Sequence, residues 1–238
     1  MENPLDVEGV TVSYHGGVVL WNASFRVSPA SLMAVVGPNG AGKTTLLKAV
    51  QNLVPKDAGR VSVFGRPYEE MRKSVAYVPQ RQNVDWNFPA NVSDVVQMGT
   101  YQSLGWIRRP GAREKRKTFE ALEKTGMERL ADRQIGELSG GQQQRVFIAR
   151  ALVQDAPLYL MDEPFQGVDK TTEAAVAGIL RDMRDEGKTV VAVHHNLETV
   201  PDYFDSATLL NGGVVASGEV AEVFTPENIR SAYRGLET

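Results

Sequence analysis

Residues 37–45 read "GPNGAGKTT", and this stretch decides the fold expected for the chain. It fits the spacing G-x-x-x-x-G-K-[ST] in full, in which the backbone N–H groups of a glycine-rich loop surround a phosphate. The short apolar run "SLMAVVG" precedes the loop, and "KTTLLKAVQNL", which has helical periodicity, follows it. Strand, glycine loop and helix in that order predict a nucleotide-binding α/β unit.

Different residue types in the loop have different tasks. Gly40 and Gly42 would let the backbone approach the β-phosphate closely. Lys43 would reach the β- and γ-phosphates, and the Thr44 hydroxyl would bind Mg²⁺. A plain glycine turn is the alternative, but the flanking strand and helix favour the phosphate loop. The predicted nucleotide-binding residues of the loop are Gly37, Pro38, Asn39, Gly40, Ala41, Gly42, Lys43, Thr44 and Thr45.

A pair of acidic residues ends the apolar strand pattern in "PLYLMDEP". Asp162 would hold Mg²⁺, usually through water. Glu163 would lie nearer the γ-phosphate and polarise the attacking water. Two acids at a strand end can also form a solvated turn, but the phosphate loop elsewhere in the chain favours the catalytic interpretation.

Polar residues also follow two other predicted strands. The run "TVVAVHH" ends in His194 and His195, and neighbours on a strand point to opposite faces, so only one of them can contact the γ-phosphate or its water. A hydrogen-bonded surface histidine is the alternative. Gln80 ends "SVAYVPQ", and a glutamine at a strand edge can ligate Mg²⁺ through its carbonyl oxygen.

A second phosphate-binding pattern occupies residues 137–152, "ELSGGQQQRVFIARAL". Here Ser-Gly-Gly precedes a helical pattern, and the free N–H groups at a helix N-terminus favour anions. The chain already has a better phosphate loop, so this second pattern needs a separate explanation.

The order of strand and helix patterns along the chain predicts a single domain, 1–238. Its α/β core would span about 1–89 and 151–238, interrupted by a mostly helical segment at about 90–150. Strands are predicted at 5–14 and 18–27, separated by a turn at His15-Gly16-Gly17. In the helical segment, "DVVQMGTYQSL" and "REKRKTFEALEKTGM" have helical periodicity.

The C-terminal half predicts a parallel sheet. "LYLMD", the helical "KTTEAAVAGILRDMRDEG" and "TVVAVHH" follow one another in βαβ order, and "SATLLNGGVVASG" predicts a closing hairpin. One or two short helices are expected after it. The basic residues of the helical segment form either a phosphate patch or, as we favour, a solvated helix face: Arg113, Lys115, Arg116 and Lys117.

Composition narrows the function classes. The formal net charge of −3 gives no electrostatic case for a nucleic-acid binder. The chain has no Cys and three His, so neither a disulfide framework nor a zinc cage of usual spacing is expected. No secretory signal pattern and no apolar run of the roughly 20 residues that span a membrane are present. We therefore expect a soluble protein that can still dock on a membrane partner.

Taken in order, the motifs "GPNGAGKTT", "YVPQ", "LSGGQQQR", "YLMDEP", "GVD" and "VHHNL" resemble the ATP-binding subunit of ABC transporters over essentially the whole chain. The resemblance implies an ABC-type P-loop NTPase core of parallel sheet and helices, with an antiparallel β subdomain and a helical subdomain. It implies an ATP hydrolase that uses ATP and Mg²⁺.

The resemblance also implies roles for single residues. Tyr14 would stack on adenine, Gln80 would be the lid-loop glutamine, and Asp169 would belong to the loop after the catalytic glutamate. His195 matches the switch histidine, since that residue normally precedes an acidic or amide residue and Leu.

In this family the second pattern serves a neighbouring subunit. Ser139, Gly140, Gly141 and Gln142 would cap the γ-phosphate of ATP held on the phosphate loop of another chain. The resemblance thus implies a homodimer or paired ATPase subunits, together with integral membrane permease subunits and, indirectly, an extracytoplasmic substrate-binding protein. It also implies a cytoplasmic location, with the chain peripheral on the inner face of the cell membrane.

The stretch "RQNVDWNFPANVSDVVQMG" resembles manganese- and zinc-type metal importers, as do "PFQGVD" and "VHHNLETV". In the family this region lines the groove that receives a helix of the membrane subunit. Trp86, Phe88 and Val92 would be either anchors in that groove or staples that hold the helical subdomain on the sheet. Two residues depart from the common pattern, Gln166 and Asn196.

Two alternatives to a metal-ion importer stay open. One is an importer of another substrate, such as a siderophore complex. The other is a soluble ABC ATPase, such as an iron–sulfur assembly ATPase or a DNA or translation factor.

Overall fold

Two units make up the chain in the computed structural model, residues 1–72 with 183–238 and residues 73–182. The structure describes residues 2–14, 16–81, 86, 88–104 and 108–233. The turn predicted at His15 and most of the stretch 82–87 therefore lie outside the described residues. The predicted boundaries at about residues 90 and 150 stay a prediction.

The first unit contains an antiparallel sheet of strand order β2-β1-β4-β5. Its strands are β1 Leu5–Tyr14, β2 Gly17–Val27, β4 Ala58–Val63 and β5 Arg66–Pro67. The first two confirm the strands predicted from their Val and aromatic content. The inward-facing side chains of this pair are fully buried, for example Val10, Val12 and Leu20.

The same unit contains the strand that precedes the glycine loop. This strand, β3 Leu32–Val36, lies between β8 Thr189–Val193 and β9 Ser206–Leu210 and is parallel to both. The hairpin strand β10 Val214–Glu219 pairs antiparallel with β9. All residues of β3, β8 and β9 are buried, as expected for parallel strands covered on both faces.

Short helices complete the first unit. Helix α1 Lys43–Val50 follows the glycine loop, and its predicted end at Leu53 is three residues too late. Asn52 has φ 52°, in the left-handed region that ends helices. The other helices of this unit are α2 Tyr68–Met71, α8 Val200–Tyr203, α9 Val220–Val223 and α10 Pro226–Tyr233.

The second unit combines two parallel strands with packed helices. Strand β6 Val75–Val78 pairs with β7 Leu158–Asp162. Helices α3 Val92–Gln97, α5 Ala112–Lys124 and α6 Gly140–Leu152 pack against one another. Helix α7 Lys170–Asp185 begins in this unit. The buried residues of the three packed helices include Val92, Val96, Leu122, Val146 and Ile148.

One predicted helix is broken in the structure. Residues 94–104 form the end of α3, a 3₁₀ turn Met98–Thr100 and a separate helix α4 Tyr101–Leu104. A Cβ atom on Gly99 would lie 2.2 Å from the carbonyl oxygen of Arg150. The break therefore coincides with a close approach to α6 that only glycine allows.

The basic run on α5 lies in solvent. Arg113, Lys115 and Arg116 are exposed, and the guanidinium of Arg116 forms an exposed ion pair with Glu120 at 3.5 Å. This agrees with the solvated-face interpretation.

The parallel strands with their helices, the antiparallel sheet and the packed helices confirm the predicted fold class. Within the described residues, no helix is both long enough and apolar enough to cross a membrane.

Candidate functional site

The backbone of the glycine loop is fixed by two close approaches. A Cβ atom on Gly37 would lie 2.0 Å from the carbonyl oxygen of Leu210, and one on Gly42 would lie 2.6 Å from Cδ2 of Leu20. Gly42, which has φ 92°, is also the residue before α1. Only glycine fits at these two positions.

Gly40, at the exposed tip of the loop, differs from them. It has φ 82°, but no described atom lies within 4 Å of where its Cβ would be. The loop therefore presents its backbone at this point to an open side, as a phosphate-binding loop requires.

The side chain of Lys43 is held over the loop. Its ammonium group donates hydrogen bonds to the carbonyl oxygens of Gly37 at 2.7 Å and Pro38 at 2.8 Å, and the residue is 7% exposed. Thr44 and Thr45 are half-buried in the first turn of α1. A buried cation beside the N-terminus of a helix fits the negative charge of a triphosphate.

Tyr14 provides a flat apolar surface in the same unit. It is the last residue of β1, pairs with Gly17 across the hairpin and is 38% exposed. The half-exposed side chain is compatible with the predicted stacking on adenine, which stays a prediction.

Asp162, at the carboxyl end of β7, is completely buried. Burial, and secondly the charge of Asp162, raise the pKa of the neighbouring Tyr77 phenol to about 12. A buried carboxylate at a strand end is a suitable ligand for a hard cation such as Mg²⁺.

Glu163 and Gln80 were predicted independently, and the structure brings them together. The amide nitrogen of Gln80 donates to Glu163 Oε2 at 2.9 Å and to Gln166 Oε1 at 3.2 Å. Glu163 has φ 54°, in the left-handed region that a residue with a side chain rarely adopts. Such backbone strain is often found at functional sites.

The second phosphate-binding pattern begins α6 with a capping box. The backbone N–H of Ser139 donates to Gln142 Oε1 at 2.9 Å, and the backbone N–H of Gln142 donates to Ser139 Oγ at 3.4 Å. The N–H groups of Gly140 and Gly141 belong to the first turn, where a helix offers them no acceptor of its own. Ser139 is exposed, so this helix start can receive an anion from outside the chain.

Neighbouring side chains touch both glycines of this helix start. A Cβ on Gly140 would lie 2.9 Å from Nη1 of Arg81, and one on Gly141 would lie 2.9 Å from Cγ2 of Thr172. Thr172 donates its backbone N–H to Asp169 Oδ1 at 2.8 Å. This hydrogen bond is the main reason that the pKa of Asp169 lies below its usual value.

Arg81 is a contact residue that sequence reasoning missed. Its Nε donates to Gln143 Oε1 at 2.9 Å, and its carbonyl oxygen accepts from the indole N–H of Trp86 at 3.0 Å. The residue next to Gln80 thus contacts both the start of α6 and Trp86. Its adjacency to Gln80 was the available signal, but the partner Gln143 lies 62 positions away.

The side chains of the two adjacent histidines lie in different environments, as predicted: one is buried and the other is exposed. They follow β8 and are not part of it, so the strand ends earlier than expected. His194 is 1% exposed, and its Nε2 lies 2.8 Å from Thr199 Oγ1, whereas His195 is exposed. His194 is therefore the structural histidine, and His195 is the one that can meet a ligand.

We expect His194 to make stability dependent on pH. Burial first, and then the neighbouring His195, lower the pKa of His194 from 6.5 to about 4. Below about pH 6.5 the unfolded chain binds a proton at this residue that the folded chain does not, so stability falls as the pH drops towards 4. The loss reaches up to about 3 kcal/mol.

Urea unfolding midpoints at about pH 7.5 and about pH 5 measure this effect. The difference between the two midpoints should be smaller in His194→Gln than in the wild-type chain. The exposed His195→Gln is the matched control: it removes only the smaller cause of the pKa shift of His194, so most of the wild-type difference should remain. If His194→Gln shows the same pH dependence as the wild-type chain, His194 is not the source of that dependence.

An open groove of about 260 Å³ lies on the second unit. Phe88 is 51% exposed beside it, and the Trp86 ring packs edge-on against Phe147 with centroids 5.1 Å apart. Val92 is fully buried and does not line the groove, so of its two predicted roles the structure favours the staple of the helical subdomain over the groove anchor. The lining residues are Trp86, Phe88, Val95, Met98, Ile135, Phe147 and Arg150.

Comparisons with known proteins agree with these features. The sequence pattern of the ABC transporter family matches residues 20–166. The zinc transport system ATP-binding protein TroB of Treponema pallidum is 55% identical over 231 residues, which cover 97% of this chain and 87% of that protein. The manganese transport system ATP-binding protein MntB of Bacillus subtilis is 47% identical and covers 99% of this chain and 94% of that protein.

Among solved structures, an inward-facing metal-chelate type ABC transporter matches with a TM-score of 0.87 and 28% identity. The match covers 98% of this chain and 89% of that one. The likeness therefore extends over almost the whole length in both sequence and structure.

Proposed function

Since this chain belongs to the ABC transporter family, as its ATP-binding subunit, we propose that it hydrolyses ATP to power the import of a divalent metal ion, manganese or zinc. The observation that carries the choice of cargo is its 55% identity, over 97% of its length, to a zinc transport ATP-binding protein. Because a manganese transport ATP-binding protein is also 47% identical, the proposal includes both metals.

ATP binding begins at the glycine loop. The backbone N–H groups of residues 37–45 surround the β-phosphate, and Lys43 contributes a buried positive charge to the β- and γ-phosphates. Tyr14 stacks on the adenine ring. Thr44, Gln80 and Asp162 are the residues that would hold Mg²⁺, which would neutralise charge on the phosphates.

Hydrolysis rests on a water molecule polarised by Glu163. One oxygen of this carboxylate, Oε2, accepts from Gln80, so the other oxygen can accept from the water. His195 contacts the γ-phosphate or that water. The single positive charge of Lys43 remains beside the phosphates as negative charge develops on them.

A complete site needs two subunits. The chain has one glycine loop and one Ser-Gly-Gly helix start, and the latter is exposed. In a head-to-tail dimer, Ser139, Gly140 and Gly141 donate to the γ-phosphate on the partner's loop, which excludes water where charge develops. ATP favours the closed pair through its greater affinity for that state, and hydrolysis removes this preference.

Coupling to transport requires a membrane permease, which places the chain on the cytoplasmic face of the membrane. The groove of about 260 Å³ on the second unit is the surface proposed for the permease helix, with Phe88 and Trp86 as apolar contacts. The metal is cargo: an extracytoplasmic binding protein delivers it to the permease.

A transport assay tests this function. The tagged chain is purified from its native membranes in mild detergent together with the permease, and the complex is reconstituted in liposomes that enclose ATP. With the cognate binding protein outside, we expect ATP-dependent accumulation of Mn²⁺ or Zn²⁺. A non-hydrolysable ATP analogue should give none.

Two results would contradict the proposal. Accumulation of a ferric siderophore in place of either metal would change the cargo and leave the ATPase assignment intact. Repeated failure to recover any membrane protein with the chain would favour a soluble ABC ATPase.

A further inference from the structure

Gln166 contacts the hydrolysis site, although no motif assigns it a role. It lies three residues after Glu163, and its side-chain oxygen accepts from Gln80 at 3.2 Å. Glu163 accepts from the same nitrogen at 2.9 Å. Two polar side chains of one segment thus meet the amide group of Gln80, which lies in another segment of the second unit.

The Glu163 carboxylate determines which way the Gln80 amide faces. A primary amide has two N–H donors on its nitrogen and only lone pairs on its oxygen. The carboxylate can only accept, so the end of the Gln80 amide that lies 2.9 Å from it is nitrogen, and the end of the Gln166 amide that meets this nitrogen is oxygen. The amide oxygen of Gln80 therefore points away from both acceptors.

Gln166 also supports Glu163 through the backbone. Its N–H donates to the carbonyl oxygen of Glu163 at 3.1 Å and closes the turn in which Glu163 holds φ 54°. Gln166 thereby contacts both members of the Gln80–Glu163 pair. Its side chain contacts Gln80, and its backbone contacts Glu163.

We propose that Gln166 is a positioning residue for ATP hydrolysis, which holds the Gln80 amide so that its nitrogen faces Glu163 and its oxygen faces the Mg²⁺ site. The inference rests on the proposed function of Gln80 and Glu163. Without Gln166, a single hydrogen bond to Glu163 holds the Gln80 amide, and its oxygen spends less time in the orientation that a metal requires.

The test is Gln166→Ala in the detergent-solubilised complex with its permease. We expect kcat to fall about fivefold, as for the loss of one hydrogen bond. The Mg²⁺ concentration for half-maximal activity should rise by a similar factor, while affinity for a fluorescent ATP analogue without Mg²⁺ stays unchanged. Gln154→Ala, a half-buried glutamine of the same unit, is the matched control and should change none of these values.

A second variant separates positioning from folding. Gln166→Glu keeps a side-chain oxygen that can accept from Gln80, so its half-maximal Mg²⁺ concentration should stay close to the wild-type value. A rise equal to that of Gln166→Ala would contradict the role given to this hydrogen bond.

A double-mutant cycle completes the test. If Gln166 acts through Gln80, the Gln166→Ala change should alter kcat by less than about twofold in a Gln80→Ala background. Equal fold-changes in both backgrounds would overturn the inference. A wild-type complex that does not hydrolyse ATP would instead overturn the proposed function, so the two failures are distinguishable.

Discussion

Glu163→Gln is expected to lower the rate of ATP hydrolysis by about 10²–10⁴-fold, the usual range for removal of a general base. The amide keeps an oxygen that can accept from Gln80 at the 2.9 Å contact, so the local structure should survive while the negative charge is lost. ATP affinity should stay near that of the wild-type chain. Steady-state phosphate release and equilibrium ATP binding measure the two effects.

The same variant should accumulate as an ATP-bound dimer, because closure no longer ends in hydrolysis. Light scattering at saturating ATP measures its mass. Adding Ser139→Arg places a long charged side chain at the exposed start of α6 and should return the dimer to monomers that still bind ATP.

Glu120→Gln is the matched control for the charge change. Glu120 is exposed on α5 and forms only a surface ion pair, so its loss should leave turnover unchanged. Wild-type turnover in Glu163→Gln would remove the catalytic role from this residue. A Glu163→Gln chain that stays monomeric with ATP bound would contradict the two-subunit site.

Lys43→Ala should weaken ATP binding by roughly 10- to 150-fold, the value of one or more hydrogen bonds to a charged group. The ammonium is buried and donates to the carbonyl oxygens of Gly37 and Pro38, so its removal also loosens the loop. Titration calorimetry with ATP measures the change. Hydrolysis should become undetectable as well.

Lys48→Ala provides the control from the same helix. Lys48 lies in the last turn of α1, away from the glycine loop. Its replacement should change ATP affinity by less than about twofold, the effect of a distant charge screened by salt. Equal losses in both variants would indicate general damage to α1, and an unchanged affinity in Lys43→Ala would refute the phosphate-loop assignment.

The glycine loop was predictable because its chemistry is local. The spacing of Gly37, Gly42 and Lys43 reflects backbone conformation and charge within a few residues, and the adjoining strand and helix appear in the same short window. The separation of His194 from His195 followed from the same kind of local reasoning. The prediction placed them on the strand, whereas β8 ends at Val193.

Contacts between distant segments were not predictable. Gln166 was visible as a departure from the common pattern, but its hydrogen bond to Gln80 spans 86 positions. Val92 illustrates the same limit: a valine beside exposed aromatic residues can face a groove or a core, and only the packing of α3 against α6 decides. The strands β4 and β5 lie where no pattern predicted them.

Strand β3, which leads into the glycine loop, is held in place by residues that lie far towards the C-terminus and are synthesised much later. Its N–H at Leu32 donates to Asp205 Oδ2 at 2.8 Å across 173 positions, and Gly37 lies against the carbonyl of Leu210. Contacts of such long sequence separation form slowly, because a large loop must close first. During synthesis on the ribosome, the glycine loop therefore emerges well before the residues that hold its strand and its first glycine in place.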